Sequence, residues 1–140
     1  MRSPLSQREV KFLREMRVAR LATASKECEP HVVPVFFVYQ SGVLWTTAGS
    51  KTRKLKNLRE NDKVSVVIDE YVREPPRERG VLLRGRAEIF SDGKDYEKGI
   101  DTLTRKYQGY DPRESPPSEG TPRVIMVTTT RVVRWGFGED

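Results

Sequence analysis

The chain has 140 residues, 36% apolar and 33% charged, with a net charge of +6, enough for one domain spanning 1–140 with a single core and a bias toward anionic partners. One cysteine, Cys28, and one histidine, His31, leave no internal disulfide and argue against a Cys/His zinc site. The opening Met-Arg-Ser-Pro-Leu-Ser-Gln-Arg lacks the apolar segment of a secretory leader, and no apolar run approaches the ~20 residues of a membrane span, so a cytoplasmic protein with no membrane partner is expected.

Ser6-Gln7-Arg8-Glu9 has the pattern of a capping box. It opens a helix running to about Arg17, with Val10, Leu13 and Met16 on one face. Residues 18–25 read as a strand and 26–30 as a polar turn. The run 31–39, His-Val-Val-Pro-Val-Phe-Phe-Val-Tyr, is strongly β-prone, and Pro34 within it demands an edge or a bulge. Gln40-Ser41-Gly42 closes a hairpin onto 43–47. A short helix at 52–60, a strand at 63–69 and a loop at 71–79 containing Pro75-Pro76 follow. Next come a strand at 80–90, a turn at Ser91-Asp92-Gly93 and a helix at 94–107 striped by Tyr96, Ile100, Leu103 and Tyr107. A proline-rich loop at 111–122, a final strand at 123–135 and a tail at 136–140 complete the chain. The strands come as hairpins rather than alternating with long helices, which excludes a parallel βαβ sheet. The fold expected is mainly β with flanking helices: a six-stranded antiparallel barrel with helices outside.

The segment 48–59 reads Ala-Gly-Ser-Lys-Thr-Arg-Lys-Leu-Lys-Asn-Leu-Arg, five bases and no acid. As an ordinary solvated helix it would bury Leu55 and Leu58 and turn Lys51, Arg53, Lys54, Lys56 and Arg59 outward. As a functional segment it is a receptor for a phosphate dianion. Thr46-Thr47 precede it, Gly49-Ser50 make the turn, Thr52 takes an N-cap position, and backbone donors converge at the helix start. A phosphate held at a strand end can hang a cofactor along a sheet.

Other chemistry is sparse. A lone His beside a strand is ordinarily structural, and Cys28 in its polar turn is an incidental thiol. Glu27 and Glu29 flank a turn and read as solvated. No residue is assigned a catalytic role, and an oxidoreductase working through a bound cofactor requires none. Trp135 is either a core or interface aromatic or the cover on a planar ligand. Nucleic acid is not an expected partner, because the basic segment carries no aromatic for base stacking and Phe36-Phe37-Tyr39 lie in a run without bases.

The ordered set Arg20-Leu21-Ala22-Thr23, Pro30-His31-Val32-Val33-Pro34-Val35-Phe36, Leu44-Trp45-Thr46-Thr47, Thr52-Arg53-Lys54-Leu55-Lys56-Asn57-Leu58, Lys63-Val64-Ser65, Arg84-Gly85-Arg86-Ala87-Glu88 and Arg131-Val132-Val133-Arg134-Trp135 resembles the pyridoxamine 5'-phosphate oxidase-like FMN-binding split-barrel family. The resemblance implies a six-stranded split barrel, a homodimer with flavin sites at the interface, and a small-molecule substrate. It implies that Val33, Pro34 and Val35 line the isoalloxazine, that Thr46, Thr47, Arg53 and Lys54 hold the phosphate, and that Trp135 reaches the flavin of the partner subunit. Charge and capping add Lys51 and Thr52.

Two departures bear on substrate. The vitamin-forming oxidases continue past the Trp strand into an Arg-containing tail, whereas this sequence ends at Asp140 with Gly-Phe-Gly-Glu-Asp. A glutamine expected early in the strand before Gly85 is replaced near Gly80. Both turn the expectation away from pyridoxamine phosphate and toward a short branch that uses FMN or a deazaflavin. The leading expectation is an FMN-dependent oxidoreductase. The alternatives are a reductase dependent on the deazaflavin coenzyme F-420 and a non-catalytic flavin- or nucleic-acid-binding protein. The deazaflavin has the longer anionic tail, so bases such as Lys51, Arg59 or Arg84 beside the groove would favour it.

Overall fold

The capping box forms as its sequence demands. The Ser6 backbone N–H donates to Glu9 Oε1 at 3.0 Å, and the Glu9 N–H donates to Ser6 Oγ at 3.2 Å. They open helix α1 (Gln7–Glu15), which buries Phe12 and Leu13. A computed structural model describes residues 5–114 and 116–138. After α1 come strands β1 (Ala19–Ala24), β2 (Pro30–Val35), β3 (Val38–Gln40) and β4 (Val43–Gly49), helix α2 (Arg53–Glu60), strands β5 (Lys63–Val72) and β6 (Arg77–Phe90), helix α3 (Gly93–Lys106) and strand β7 (Pro122–Trp135). The expected tail at 136–140 lies partly outside the described residues.

The structure corrects the expected six-stranded barrel. Seven antiparallel strands form one open sheet in the order β2-β1-β5-β6-β7-β4-β3. The extra strand arises because the run 31–39 does not stay whole. It pairs with β1 as far as Val35 and with β4 from Val38 onward. Between them Phe37 is wholly buried, and its backbone is satisfied by a side chain instead of a ladder. The Tyr107 phenol accepts the Phe37 N–H at 3.0 Å and lies 2.9 Å from the Phe37 carbonyl and 2.8 Å from that of Arg17, to either of which it can donate. Only two residues separate β2 from β3, yet the two strands occupy opposite edges of the sheet. The sheet therefore curls until its edges approach at that point, leaving them open elsewhere. Pro34 lies in an edge strand, where a missing N–H removes no ladder bond on the free side.

A second correction concerns 71–79. The loop contracts to a turn at 73–76, because β5 and β6 extend their ladder to Val72 opposite Arg77. Alternation along the strands puts Leu21, Leu44, Val66, Ile68, Val81, Leu83, Ile125 and Val127 inside the curl, with Leu55 and Leu58 of α2 closing it. At the other end Glu9 is almost fully buried and accepts from Arg134 at 2.8 Å, tying β7 to α1. Gly80 is required where it stands: a Cβ there would run into the Trp135 indole lying across it. Among the described residues no helix is long and apolar enough to cross a membrane.

Candidate cofactor site

Helix α2 begins directly after β4, so its first turn is fixed at the end of the sheet. Three of the backbone donors expected for a phosphate are already used. The Ser50 N–H donates to the Thr121 carbonyl at 2.8 Å, Lys51 N–H to the Glu119 carbonyl at 2.8 Å, and Thr52 N–H to the Gly49 carbonyl at 3.1 Å. The proline-rich loop is thus laced onto the Gly49–Lys51 turn, and it lies so close that a Cβ at Gly49 would strike the Glu119 carbonyl. Thr52 stands at the N-cap position, but its hydroxyl makes no cap and donates instead to the Gly49 carbonyl at 2.8 Å. The first-turn N–H groups of α2 therefore lack a side-chain cap and remain available to an anion.

Arg53 and Asn57 are one helical turn apart and share a face of α2. That face looks onto the start of β2. A polar pocket of about 130 Å³ forms there, lined by Arg53, Asn57, His31, Pro30, Ser25 and Glu29. His31 pairs across the ladder with Thr23, whose hydroxyl accepts from Asn57 Nδ2 at 3.0 Å. Asn57 is 1% exposed. Two polar atoms are buried here without a hydrogen-bond partner, His31 Nδ1 and Asn57 Oδ1. A native fold rarely leaves such atoms unpaired, since each costs about 1–3 kcal/mol. The Thr23 hydroxyl can donate as well as accept. The Asn57 amide can therefore turn over and present its NH₂ to an incoming anion without losing Thr23.

Lys54, the next residue, meets different surroundings. It lines a second pocket of about 130 Å³ with Thr47, Tyr110, Glu114 and Glu119. Burial pulls its ammonium below the usual lysine range, and the Glu119 carboxylate opposes that pull. Thr47 shares a 3.3 Å hydrogen bond with the Tyr110 phenol, and Thr46 donates to the Phe36 carbonyl at 2.6 Å. The two threonines expected at a phosphate are thus engaged by the chain itself. Lys51 is exposed and lines neither pocket.

Val33 and Val35 follow His31 on the inward face of β2, and Pro34 faces out. Beyond β1 the strand has no ladder neighbour, so part of its backbone N–H and C=O row is free. Trp135 lies at the far end of β7. Thr47 pairs with Val124, and Gly80 pairs with Trp135. The eleven intervening steps are roughly 35 Å of strand. One chain does not bring Trp135 to Arg53.

Pro30 also borders a larger groove of about 540 Å³ on the outer face of the sheet, lined by Ala22, Ala24, Lys63, Ser65, Arg84 and Arg86 among others. Arg86 is paired with Asp62 at 2.8 Å. Among the described residues, neither Lys63 nor the Arg84 side chain has a carboxylate partner. Sequence reasoning left His31 aside because a lone histidine suggested no catalytic group. The signal for it was strand parity: His31 shares a face with Val33 and Val35, and Arg53 shares one with Asn57.

The description "Pyridoxamine 5'-phosphate oxidase" matches residues 5–136 of the sequence. The chain belongs to the pyridoxamine 5'-phosphate oxidase family. A 5a,11a-dehydrotetracycline/5a,11a-dehydrooxytetracycline reductase of Streptomyces rimosus is 35% identical over 142 residues, covering 98% of this chain and 87% of that protein. Among solved structures, a conserved hypothetical protein of Mycobacterium tuberculosis superposes with a TM-score of 0.75 at 21% identity, covering 97% of this chain and 89% of that one. An F-420 reductase superposes with a TM-score of 0.69 at 25% identity, covering 92% of this chain and 98% of that one.

Proposed function

We propose that this protein is an oxidoreductase that anchors a flavin-type cofactor by its phosphate in the pocket of Arg53, His31 and Asn57. The observation that carries this reading is the pair of orphaned buried atoms, His31 Nδ1 and Asn57 Oδ1, on residues that line one pocket with Arg53, which forms no ion pair among the described residues even though Glu29 lines the same pocket. The residues fit a phosphate dianion. Arg53 supplies a fork of donors, His31 donates from Nδ1 when that nitrogen carries a proton, and Asn57 donates when its amide turns. From that anchor β2 runs roughly 13 Å from His31 to Val35. Its free backbone row offers alternating donors and acceptors to a ring laid along it. A bound flavin or deazaflavin supplies the hydride chemistry; the chain's own residues hold, orient and shelter it.

FMN and coenzyme F-420 both meet the pocket. The groove beyond Pro30 favours the second, because Lys63 and Arg84 offer charge where a longer anionic tail would run. The likeness to an F-420 reductase supports the same choice, and the relationship to a reductase supports the oxidoreductase reading. The substrate is a small molecule.

A homodimer completes the reading. The outer face of the sheet carries a row through Pro34, Arg20, Val67, Leu82 and Val133, apolar except for Arg20, which is paired with Asp69. Val133 and, beside Pro34 on β2, Val32 are exposed. Apolar surface of this kind fits a second copy, and a second copy can present the Trp135 that the first holds too far away.

Absorbance titration of the purified chain with each cofactor tests the proposal. Saturable binding of F-420 in preference to FMN is expected, with light scattering at dimer mass. Binding of neither at excess, or full binding by the Arg53→Ala, His31→Ala double variant, overturns it.

A further inference from the structure

A cavity larger than the cofactor pocket lies elsewhere in the molecule. A cleft of about 980 Å³ opens between α1, α3 and the β3–β4 hairpin. Its floor is apolar and aromatic, built from Val38, Val43, Tyr39 and the Trp45 indole. Its rim is cationic, with Arg14 on α1 and Lys98, Arg105 and Lys106 on α3. Lys98 and Arg105 are two helical turns apart and share a face of α3 with Thr102, so the charges converge by helical spacing. The lining contains no carboxylate. Arg105 is answered by Asp101 at 2.9 Å on the exposed helix surface. Among the described residues, Arg14 and Lys98 have no anionic partner, and the Lys98 ammonium stands 5.9 Å over the Trp45 ring. None of the residues expected to hold the cofactor lines this cleft.

We propose that this cleft is a second ligand site, for a small organic anion with an aromatic body. The apolar floor accepts the ring, and Arg14 and Lys98 clasp the carboxylate, sulfonate or phosphate that it carries. A free inorganic anion would leave the half-buried Val10 and Val43 of the lining wet, and a neutral aromatic would leave the cations unanswered. Both halves of the ligand are therefore needed. Lys106 adds to this. Its ammonium donates to the Leu13 carbonyl at 3.2 Å and lies 3.9 Å over the Phe37 ring. Burial and then the Arg17 charge pull it down to about 8. Burial and the Arg17 charge both disfavour the ammonium form, and an anion bound in the cleft would favour it.

The test is fluorescence titration of the full chain with 8-anilinonaphthalene-1-sulfonate, with N-phenyl-1-naphthylamine as the ring without the anion. The sulfonate should bind saturably, and the neutral probe at least tenfold more weakly. The Arg14→Glu, Lys98→Glu variant should lose at least tenfold in sulfonate affinity while keeping its melting temperature. Arg14→Gln, Lys98→Gln should shift affinity in the same direction if charge reversal disturbs the fold. Arg53→Ala, His31→Ala should bind the sulfonate within twofold of the parent, which separates this cleft from the cofactor pocket. Equal affinity for the two probes, no effect of either rim variant, or loss of the sulfonate on changing Arg53 and His31 would overturn the proposal.

Discussion

Arg53 and Lys54 are neighbours in the chain and end in opposite circumstances. Arg53 opens onto a pocket where two buried polar atoms, His31 Nδ1 and Asn57 Oδ1, have no partner among the described residues. Lys54 opens onto a pocket already organised by the protein. There Thr47 and Tyr110 bond to each other, Glu119 faces the ammonium, and the loop through Thr121 takes up the nearby backbone donors. A run of bases in sequence looks uniform, yet a helix turns successive residues by about 100° and gives each a different neighbour. The unmatched side is the one proposed for the cofactor phosphate. The matched side is the wall that holds the helix start in place.

The sharpest way to break this comparison is to remove each base in turn. Arg53→Ala should raise the cofactor dissociation constant roughly 10- to 100-fold, the worth of a charged hydrogen bond of about 1.5–3 kcal/mol. Lys54→Ala should change it less than about threefold, measured by absorbance titration at fixed salt. Equal losses would mean that both pockets face the phosphate. On the matched side the expected effects fall on stability. Tyr107→Phe leaves the Phe37 N–H without its acceptor in a buried place and should cost about 1–3 kcal/mol in urea unfolding. Thr46→Val removes the bond to the Phe36 carbonyl and should cost about 1 kcal/mol. Neither should unfold the chain, and a Tyr107→Phe variant as stable as the parent would show that the β2–β3 break holds without the phenol.

Local pattern reached far into this fold. The capping box, the stripe of Ile100, Leu103 and Tyr107 on α3 and the hairpin at Ser41-Gly42 follow from residue type and spacing, and each stands in the structure. The break at Phe36-Phe37 was not legible. It depends on a phenol seventy residues away supplying bonds that a ladder would otherwise give. The extension of β5 and β6 through 71–79 was hidden by Pro75-Pro76 and the surrounding charges, which mark a turn but not how short it is. At the site, the sequence singled out the basic segment but could not show which donors the proline-rich loop would consume. Ser50 and Thr121 meet only in three dimensions. His31 was missed because its role rests on a neighbour on another element, Asn57, rather than on any motif of its own.

The last comparison is between two lysines, where the sign of the neighbour matters. Burial lowers both Lys54 and Lys106, but Lys54 faces Glu119, whose charge resists the shift, while Lys106 faces Arg17, whose charge deepens it to about 8. The unfolded chain holds this proton up to 10.5. Above about pH 8 the unfolded state therefore binds more protons than the folded state, and Lys106 makes stability rise with pH from about 8 toward 10.5. Below that window both states are protonated and the slope from this group vanishes. Tyr107 acts in the other direction only at higher pH, because burial raises its phenol above 10.0. Urea midpoints between pH 8 and 9.5 isolate the lysine. Lys106→Met keeps the apolar stem against Phe37 and removes the titration, so its midpoint should rise less over that interval than the parent's. Parallel curves would show that solvent reaches the ammonium freely and that the α1–α3 wall is less enclosed than its geometry indicates.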